Sequence, residues 1–264
     1  MKQGNKTTDV SKCRVIYRPC GRAGEYSPLA LNLYTGCRHG CKYCYVPRVL
    51  RKDRQEFHSK VEVRKNIIEN LKYDIEHVQI TEPVLLCFTC DPYTPEVAED
   101  PYNQTTFKAL VLLAENKINF QVLTKAGLRA VKDFGLYRTQ NTGHRTQNID
   151  KFATTLTYLN PAKSLEIEPF AALPAERIES LKAAKKAGIE TWVSFEPALS
   201  EQEIHKLITA SAPYTDFYKV GKVTEYQSDI TDWPGFITRI TKHLDMLGKK
   251  YMLKEDLRKM IINK

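Results

Sequence analysis

Three cysteines, Cys37, Cys41 and Cys44, lie within the short stretch TGCRHGCKYCY. Three thiolates this close can wrap one inorganic iron–sulfur cluster, and the glycines between them permit the tight backbone that the wrap requires. A structural zinc ion would need a fourth ligand. His39 is a candidate, but it lies inside the first spacing, where we expect its side chain to point away. Three ligands to a four-iron cube leave one iron open, and an open iron is a site for chemistry.

Short apolar runs alternate along the chain with amphipathic helical patterns, which is typical of β/α units around a parallel sheet. The predicted strands cover residues 29–34, 84–89, 119–124, 152–158, 190–196 and 216–221. Helices are predicted near residues 64–78, 103–116, 174–187 and 232–247. Six units are too few to close an eight-stranded barrel. The sequence therefore predicts an α/β fold, an open partial (β/α)6 TIM-like barrel with its reactive groups at the carboxyl ends of the strands.

The organisation predicted along the chain is one domain over residues 1–264. Its parts are an N-terminal strand and cysteine loop over 14–50, a barrel over 51–222 and C-terminal helices over 223–264. The last stretch, 249–264, is predicted as a basic amphipathic helix. The polar stretch 137–150 has no periodicity and is interpreted either as a long loop or as a substrate lid.

Composition narrows the class of protein. No run approaches 18 consecutive apolar residues, and the polar N-terminus lacks the apolar segment of a signal peptide, so we expect no membrane span and a cytoplasmic location. Seven cysteines, an odd number, indicate thiols or metal ligands rather than a disulfide framework. A net charge of +9 favours a polyanionic partner such as nucleic acid, although a solvated basic surface would give the same value.

The C-x3-C-x2-C run after the first strand resembles the motif of the radical S-adenosylmethionine (SAM) superfamily. Four further segments are similar to its spore photoproduct lyase-like subgroup, which includes DNA repair photolyase-like proteins: EYSPLALNLYTGC, TCDPY, LTK and TLT, the last followed by Glu168-Pro169. The resemblance implies a [4Fe-4S] cluster whose open iron binds the amino and carboxylate groups of SAM. One electron then cleaves the sulfonium to methionine and a 5′-deoxyadenosyl radical, which abstracts hydrogen from a substrate.

The same resemblance implies cofactor contacts for Tyr43, Asp91, Lys125, Thr155, Thr157 and Glu168. Lys125 would contact the SAM carboxylate, and Thr155 would lie near SAM. Asp91 would orient the cofactor or the substrate, although an aspartate that caps a turn is an equal interpretation. Tyr43 would place its backbone near the adenine and its ring near the cluster.

Two residues are candidates for the radical steps. Tyr45 could stack or relay a radical, or could fill the core as an ordinary aromatic residue. In spore photoproduct lyases a cysteine near the end of the second strand donates hydrogen to the product radical. Here Phe88 stands at that place and Cys90 lies two residues on, so Cys90 is the candidate donor and a small buried thiol the alternative. A second metal held by Cys13, Cys20, Cys87 and Cys90 is a further hypothesis.

The function predicted on this basis is reductive cleavage of SAM followed by hydrogen abstraction from a nucleic acid, as in lyase-like DNA repair. A second hypothesis is a radical enzyme that modifies tRNA or a protein side chain. A third, non-enzymatic, is an iron–sulfur module for nucleic-acid binding or redox sensing. A radical enzyme would also need an electron donor, either a reductase or a protein of the flavodoxin or ferredoxin type.

Overall fold

The centre of the fold is a sheet of seven parallel strands in the order β1-β4-β5-β6-β7-β8-β9, seen in a computed structural model that describes residues 7–139, 149–224 and 226–262. These strands are β1 Leu29–Leu31, β4 Val84–Leu86, β5 Phe120–Thr124, β6 Lys151–Thr155, β7 Glu190–Ala198, β8 Phe217–Lys222 and β9 Lys250–Leu253. A small antiparallel pair, β2 Tyr34–Thr35 with β3 Glu62–Val63, stands apart from this sheet.

The α-helices are α1 Val46–Val49, α2 Arg54–Ser59, α3 Ile67–His77, α4 Gln104–Glu115, α5 Pro161–Ile167, α6 Pro174–Lys186, α7 Glu201–Ser211, α8 Trp233–Met246 and α9 Glu255–Ile262. A 3-10 helix, Gly127–Leu136, follows β5. Within the described ranges, no helix is both long enough and apolar enough to cross a membrane.

The predicted open barrel is confirmed, because the sheet is parallel throughout and does not close. All six predicted strands are present, and a seventh, β9, extends the sheet along β8. The prediction of a helix over 249–264 was therefore wrong at its start: residues 250–253 pair with β8, and only then does α9 begin. The run KYML is too short to be recognised as a strand without the neighbouring edge that it joins.

The stretch 137–150, predicted as a loop or lid, lies mostly outside the described residues, which omit 140–148. An ion pair holds its two described ends together. Arg138 donates to the fully buried Asp150 carboxylate through Nε at 2.9 Å and through Nη2 at 2.7 Å. Asp150 also accepts from the backbone N–H of Phe120, so this ion pair fixes the start of β5.

Side chains alternate between two environments along the strands. One face packs against the helices in a large core, whereas the inner face carries a small apolar layer of Tyr26, Leu85, Ala153 and Trp192. Next to this layer, toward the carboxyl ends, comes a polar row of four residues. Thr155 is in register with Ser194, and Ser194 with Lys219, while Lys125 follows Thr124 at the same level on β5. The polar row, defined as Lys125, Thr155, Ser194 and Lys219, spans the inner face from β5 to β8.

The N-terminal segment joins the two edges of the open sheet. Tyr17 pairs with Ala30 of β1, and the chain then crosses to the opposite edge. There Arg22 contacts Asp256 of α9 at 2.9 Å, and the Lys254 ammonium donates to the carbonyl oxygen of Arg22. The segment thus supplies the contacts that a closing strand would make in a complete barrel.

Asp74 anchors this segment to α3 and yields a test of the fold. Its buried carboxylate accepts from the backbone N–H groups of Arg14, Val15 and Ile16 at 2.7, 2.9 and 3.0 Å. We predict that Asp74→Ala lowers the free energy of unfolding by about 2–4 kcal/mol, because three donors lose their acceptor. Urea denaturation measures this change. Glu69→Ala, at an exposed position of the same helix, is the control and should change little.

Candidate functional site

The cysteine loop is held by its backbone on α2. Phe57 accepts a hydrogen bond from the N–H of Cys37 at 3.2 Å, and His58 Nδ1 donates to the carbonyl oxygen of Cys37 at 2.8 Å. Arg54 donates to the carbonyl oxygens of Cys41 and Cys44, at 3.2 and 2.6 Å. One short helix therefore fixes all three cysteines while leaving their thiols free of these contacts.

The three thiols lie close enough to act on one another electrostatically. Burial is the largest influence on each and raises its pKa, for Cys41 to about 12 even though Lys125 acts in the opposite direction. A cysteine binds a metal as the thiolate, so metal binding would have to release the protons of these thiols. The described residues contain no group of three or more potential ligands gathered as for a single ion. Thiolates that share a cube bind different irons, so they need not converge on one point.

Two imidazoles beside this loop bear on whether an iron–sulfur cluster fits. His39 is buried and its Nδ1 lies 3.3 Å from Asp91, while His58 uses its Nδ1 on Cys37. The Nε2 atom of each ring is buried without a hydrogen-bond partner among the described residues. Inorganic sulfides are acceptors for such donors, and three cysteines are the soft ligands that iron–sulfur clusters take. The residues present therefore fit a cluster held by Cys37, Cys41 and Cys44.

Asp91 connects the cysteine loop to the ends of two strands. Its carboxylate accepts from Thr124 Oγ1 at 2.7 Å and from the N–H of Lys125 at 2.8 Å, as well as contacting His39. Burial would raise the pKa of this carboxyl, but His39 and these hydrogen bonds hold it below its usual range. The observed contacts are those of a residue that positions its neighbours, and a cofactor contact for Asp91 stays a prediction.

A second buried network surrounds Glu168. The Glu168 carboxylate pairs with Arg177 at 2.7 Å, accepts from Thr157 Oγ1 at 3.1 Å and accepts from the hydroxyl of Tyr43. Burial would raise the pKa of Glu168, but the positive charges of Arg177 and Lys125 outweigh it and hold that pKa below its usual range. The structure thus brings together four of the predicted cofactor-binding residues, Tyr43, Lys125, Thr157 and Glu168.

Lys125 and Thr155 occupy the end of the polar row nearest this network. The Lys125 ammonium lies 5.8 Å from the centre of the Tyr43 ring. Burial would lower the pKa of Lys125, but Cys41, Glu168 and Asp91 together raise it, so the side chain stays charged. Thr155 is buried on the inner face, and its carbonyl oxygen accepts from Arg177 at 2.9 Å.

The two residues predicted for radical steps lie in different surroundings. Tyr45 is 41% exposed, at the start of α1 beside the cysteine loop. Cys90 is buried in the large core, hydrogen-bonded to Cys87 and close to the backbone of Leu33 and Tyr34. Phe88 instead faces the inner layer, with its ring 6.2 Å from that of Tyr26. A donor role for Cys90 stays a prediction and has no inner-face contact in its support.

The hypothesis of a second metal also gains no support from the placement of its cysteines. Cys13 is partly buried and lies near Asp74, Cys20 is exposed, and Cys87 and Cys90 are buried together elsewhere. The described parts of the chain contain no set of three or more potential ligands that includes them.

Sequence reasoning missed several residues of the site. Arg54, His58 and Arg177 contact it from helices, and no local pattern distinguishes them from surface residues of an amphipathic helix. It also missed Tyr26 and Ser194 on the far wall of the inner face. There Tyr26 and Ser194 share a hydrogen bond of 2.7 Å between their hydroxyls, and the Lys219 ammonium donates to the carbonyl oxygen of Tyr26 at 2.8 Å.

Lys219 provides a pH test of this wall. Burial, followed by the charges of Lys151 and Lys254, lowers its pKa to about 7. In the unfolded chain the pKa of a lysine is about 10.4. Between pH 7 and that value the unfolded state therefore binds more protons at Lys219 than the folded state does, so the free energy of unfolding rises with pH. We predict that Lys219→Met removes this rise, measured as the difference in unfolding free energy between pH 7 and pH 9. Lys186→Met, on the exposed side of α6, controls for the loss of one charge.

Gly36 tests whether the loop geometry governs iron binding. Its φ is +79°, and an added Cβ would lie 2.4 Å from the carbonyl oxygen of Lys60 and 2.7 Å from that of Phe57. We predict that Gly36→Ala moves the loop off α2 and lowers iron content after anaerobic reconstitution. Gly21→Ala is the matched control, because Gly21 has a φ of +59° but no atom within 4 Å of the added Cβ. Equal iron contents in the two variants would contradict the prediction.

The chain is similar in sequence or in fold to several known proteins. The uncharacterized protein MJ0683 of Methanocaldococcus jannaschii is 24% identical over 191 residues, covering 71% of this chain and 67% of that protein. Spore photoproduct lyase complexed with dinucleoside spore photoproduct superposes with a TM-score of 0.64 at 13% identity, covering 89% of this chain and 78% of the lyase.

A more distant likeness is to SuiB of Streptococcus suis bound to S-adenosylmethionine, with a TM-score of 0.59 at 13% identity over 85% of this chain and 50% of SuiB. At such identities these structures establish the fold alone. The sequence profile of the Radical SAM superfamily matches residues 31–206, which include the cysteine loop, both buried networks and β7. The chain belongs to the Radical SAM superfamily.

Proposed function

We propose that this protein is a radical SAM enzyme that abstracts hydrogen from a nucleic acid, in a reaction of the spore photoproduct lyase type. The observation that carries the enzymatic part is that Lys125 and Glu168, of opposite charge, both lie beside Tyr43 of the cysteine loop, which offers three thiols. A [4Fe-4S] cluster on Cys37, Cys41 and Cys44 would supply one electron for cleavage of SAM. Binding and orientation of SAM would be the work of side chains of this protein.

The Lys125–Glu168 pair suits the amino-acid end of SAM, which carries one carboxylate and one ammonium group. Lys125 supplies a positive charge for the carboxylate, and Glu168 supplies a negative charge for the ammonium. Arg177 keeps Glu168 ionised, and its own Nη2 atom is buried without a hydrogen-bond partner among the described residues. The charges of Lys125 and Glu168 are therefore complementary to those of a zwitterion.

Two observations support a nucleic-acid substrate. The net charge of +9 attracts polyanions, and the lyase with a TM-score of 0.64 was solved with a dinucleoside lesion. Phe88, with its ring at the inner face, departs from the cysteine that resemblance to those lyases implies, and it favours a related lesion or base over the identical one. Modification of a protein side chain is the second candidate, since SuiB was also solved with its precursor peptide SuiA.

The deciding experiment is production of 5′-deoxyadenosine by the reconstituted protein with dithionite and SAM. We predict activity in the wild type and none in Cys37→Ala, which should also lose iron. Deuterated lesion DNA, tRNA and peptides then identify the substrate by transfer of label into 5′-deoxyadenosine. Iron binding without any SAM cleavage would favour the non-enzymatic module instead.

Lys125→Met tests the proposed SAM contact separately. We predict that it weakens SAM binding by about tenfold or more, as expected for loss of a buried charge partner. Titration calorimetry with the cluster-loaded protein measures the dissociation constant, and Lys163→Met, at an exposed position of α5, is the control. An unchanged dissociation constant would remove Lys125 from the site.

A further inference from the structure

A basic surface with an apolar centre lies directly after the cysteine loop. Residues 48–54, with the sequence RVLRKDR, carry four basic side chains and one acidic one. All of them are exposed, and Val49 and Leu50 within this stretch are 60% and 39% exposed. This stretch, the 48–54 surface, includes the second half of α1, the turn after it and the start of α2. Exposed aliphatic side chains ringed by charges are typical of a docking site for another macromolecule.

The 48–54 surface is connected to the cysteines by direct hydrogen bonds. Arg54, its last residue, donates to the carbonyl oxygens of Cys41 and Cys44. Val46 and Pro47, immediately before it, are buried and fix α1 against the loop. A partner that contacts Arg54 would therefore lie one side chain away from the backbone of two of the three cysteines.

We propose that the 48–54 surface docks an acidic one-electron carrier protein of the flavodoxin or ferredoxin class. The inference rests on the proposed function, which needs one electron at the cysteine loop for each SAM cleaved. In that step the carrier is oxidised by one electron and the cluster on the three cysteines is reduced by one, with no atom transferred. Positive charge at residues 48, 51, 52 and 54 complements the acidic face of such a carrier and steers its approach.

The composition of the surface favours a protein over a nucleic acid. Residues 48–54 contain no aromatic side chain on which a base could stack, and two aliphatic side chains occupy the centre. The exposed aromatic residue nearest in sequence is Tyr45, which precedes Val46 and Pro47 at the start of α1. Proteins that hold single-stranded nucleic acid combine basic grooves with aromatic platforms. Aliphatic centres with arginine at the rim are instead common at protein interfaces.

The test is binding of oxidised flavodoxin, and separately of a [4Fe-4S] ferredoxin, to the reconstituted protein. Arg51→Glu/Lys52→Glu should weaken the dissociation constant for at least one carrier by about tenfold or more, because rim charges dominate such encounters. Lys65→Glu/Lys186→Glu is the matched control, with the same charge change at two other exposed positions. Wild-type binding should also weaken from low to high salt.

A second variant and a second readout separate the possible outcomes. Val49→Ser/Leu50→Ser removes the apolar centre without changing charge and should also weaken carrier binding. Production of 5′-deoxyadenosine with dithionite should be unchanged in both surface variants, which shows that the fold and the cysteine site are intact. If the wild type itself produces no 5′-deoxyadenosine with dithionite, the proposed function is wrong, whatever the carrier binding shows.

Three results would overturn the docking proposal alone. The first is no measurable binding of either carrier to the wild type. The second is equal carrier affinity in the Arg51→Glu/Lys52→Glu variant and its control. The third is a fall in affinity for tRNA or lesion DNA, with carrier affinity unchanged, which would assign the surface to nucleic acid.

Discussion

The backbone of the cysteine loop has to be held without help from the cysteine side chains, because those are needed as ligands. Helix α2 meets this constraint by binding the N–H of Cys37 and the carbonyl oxygens of all three cysteines. The loop can pack so closely only because Gly36 has no Cβ and accepts a positive φ. The position of α2 therefore determines where the thiols lie, and the remainder of the site is arranged around them.

Charge in a poorly hydrated interior is the second constraint. A buried carboxylate is stable only when several partners compensate its lost hydration. Asp91 and Glu168 each meet this condition by joining different elements: the first connects the cysteine loop to the end of β5, and the second connects that loop to the segment after β6 and to α6. The same contacts that keep the carboxylates ionised also hold the strand ends in place. Stability and site geometry are therefore not separable here.

The parts that sequence predicted are those that local patterns determine. The cysteine spacing is local, and six strands are apolar runs bounded by turn residues, so both were recognisable. Residues such as Arg54 and Arg177 reach the site only through the packing of their helices, which no spacing encodes. Strand β9 was missed because its four residues become a strand by pairing with β8. The inward direction of Phe88, rather than Cys90, likewise depends on the local course of the chain after β4.

The two halves of the inner face differ in what fills them. On β7 and β8 the N-terminal segment packs into the interior, and Tyr26, Trp192 and Ser194 are all buried. Toward the carboxyl ends of β4 and β5 the side chains of Phe88, Leu123 and Lys125 are only partly buried, although Leu85 on β4 is fully buried. The inner face is therefore more accessible at the strand ends next to the cysteine loop than at Tyr26, Trp192 and Ser194. An open sheet bridged by its own N-terminus gives access to the barrel where the reactive groups are, and keeps the opposite half packed.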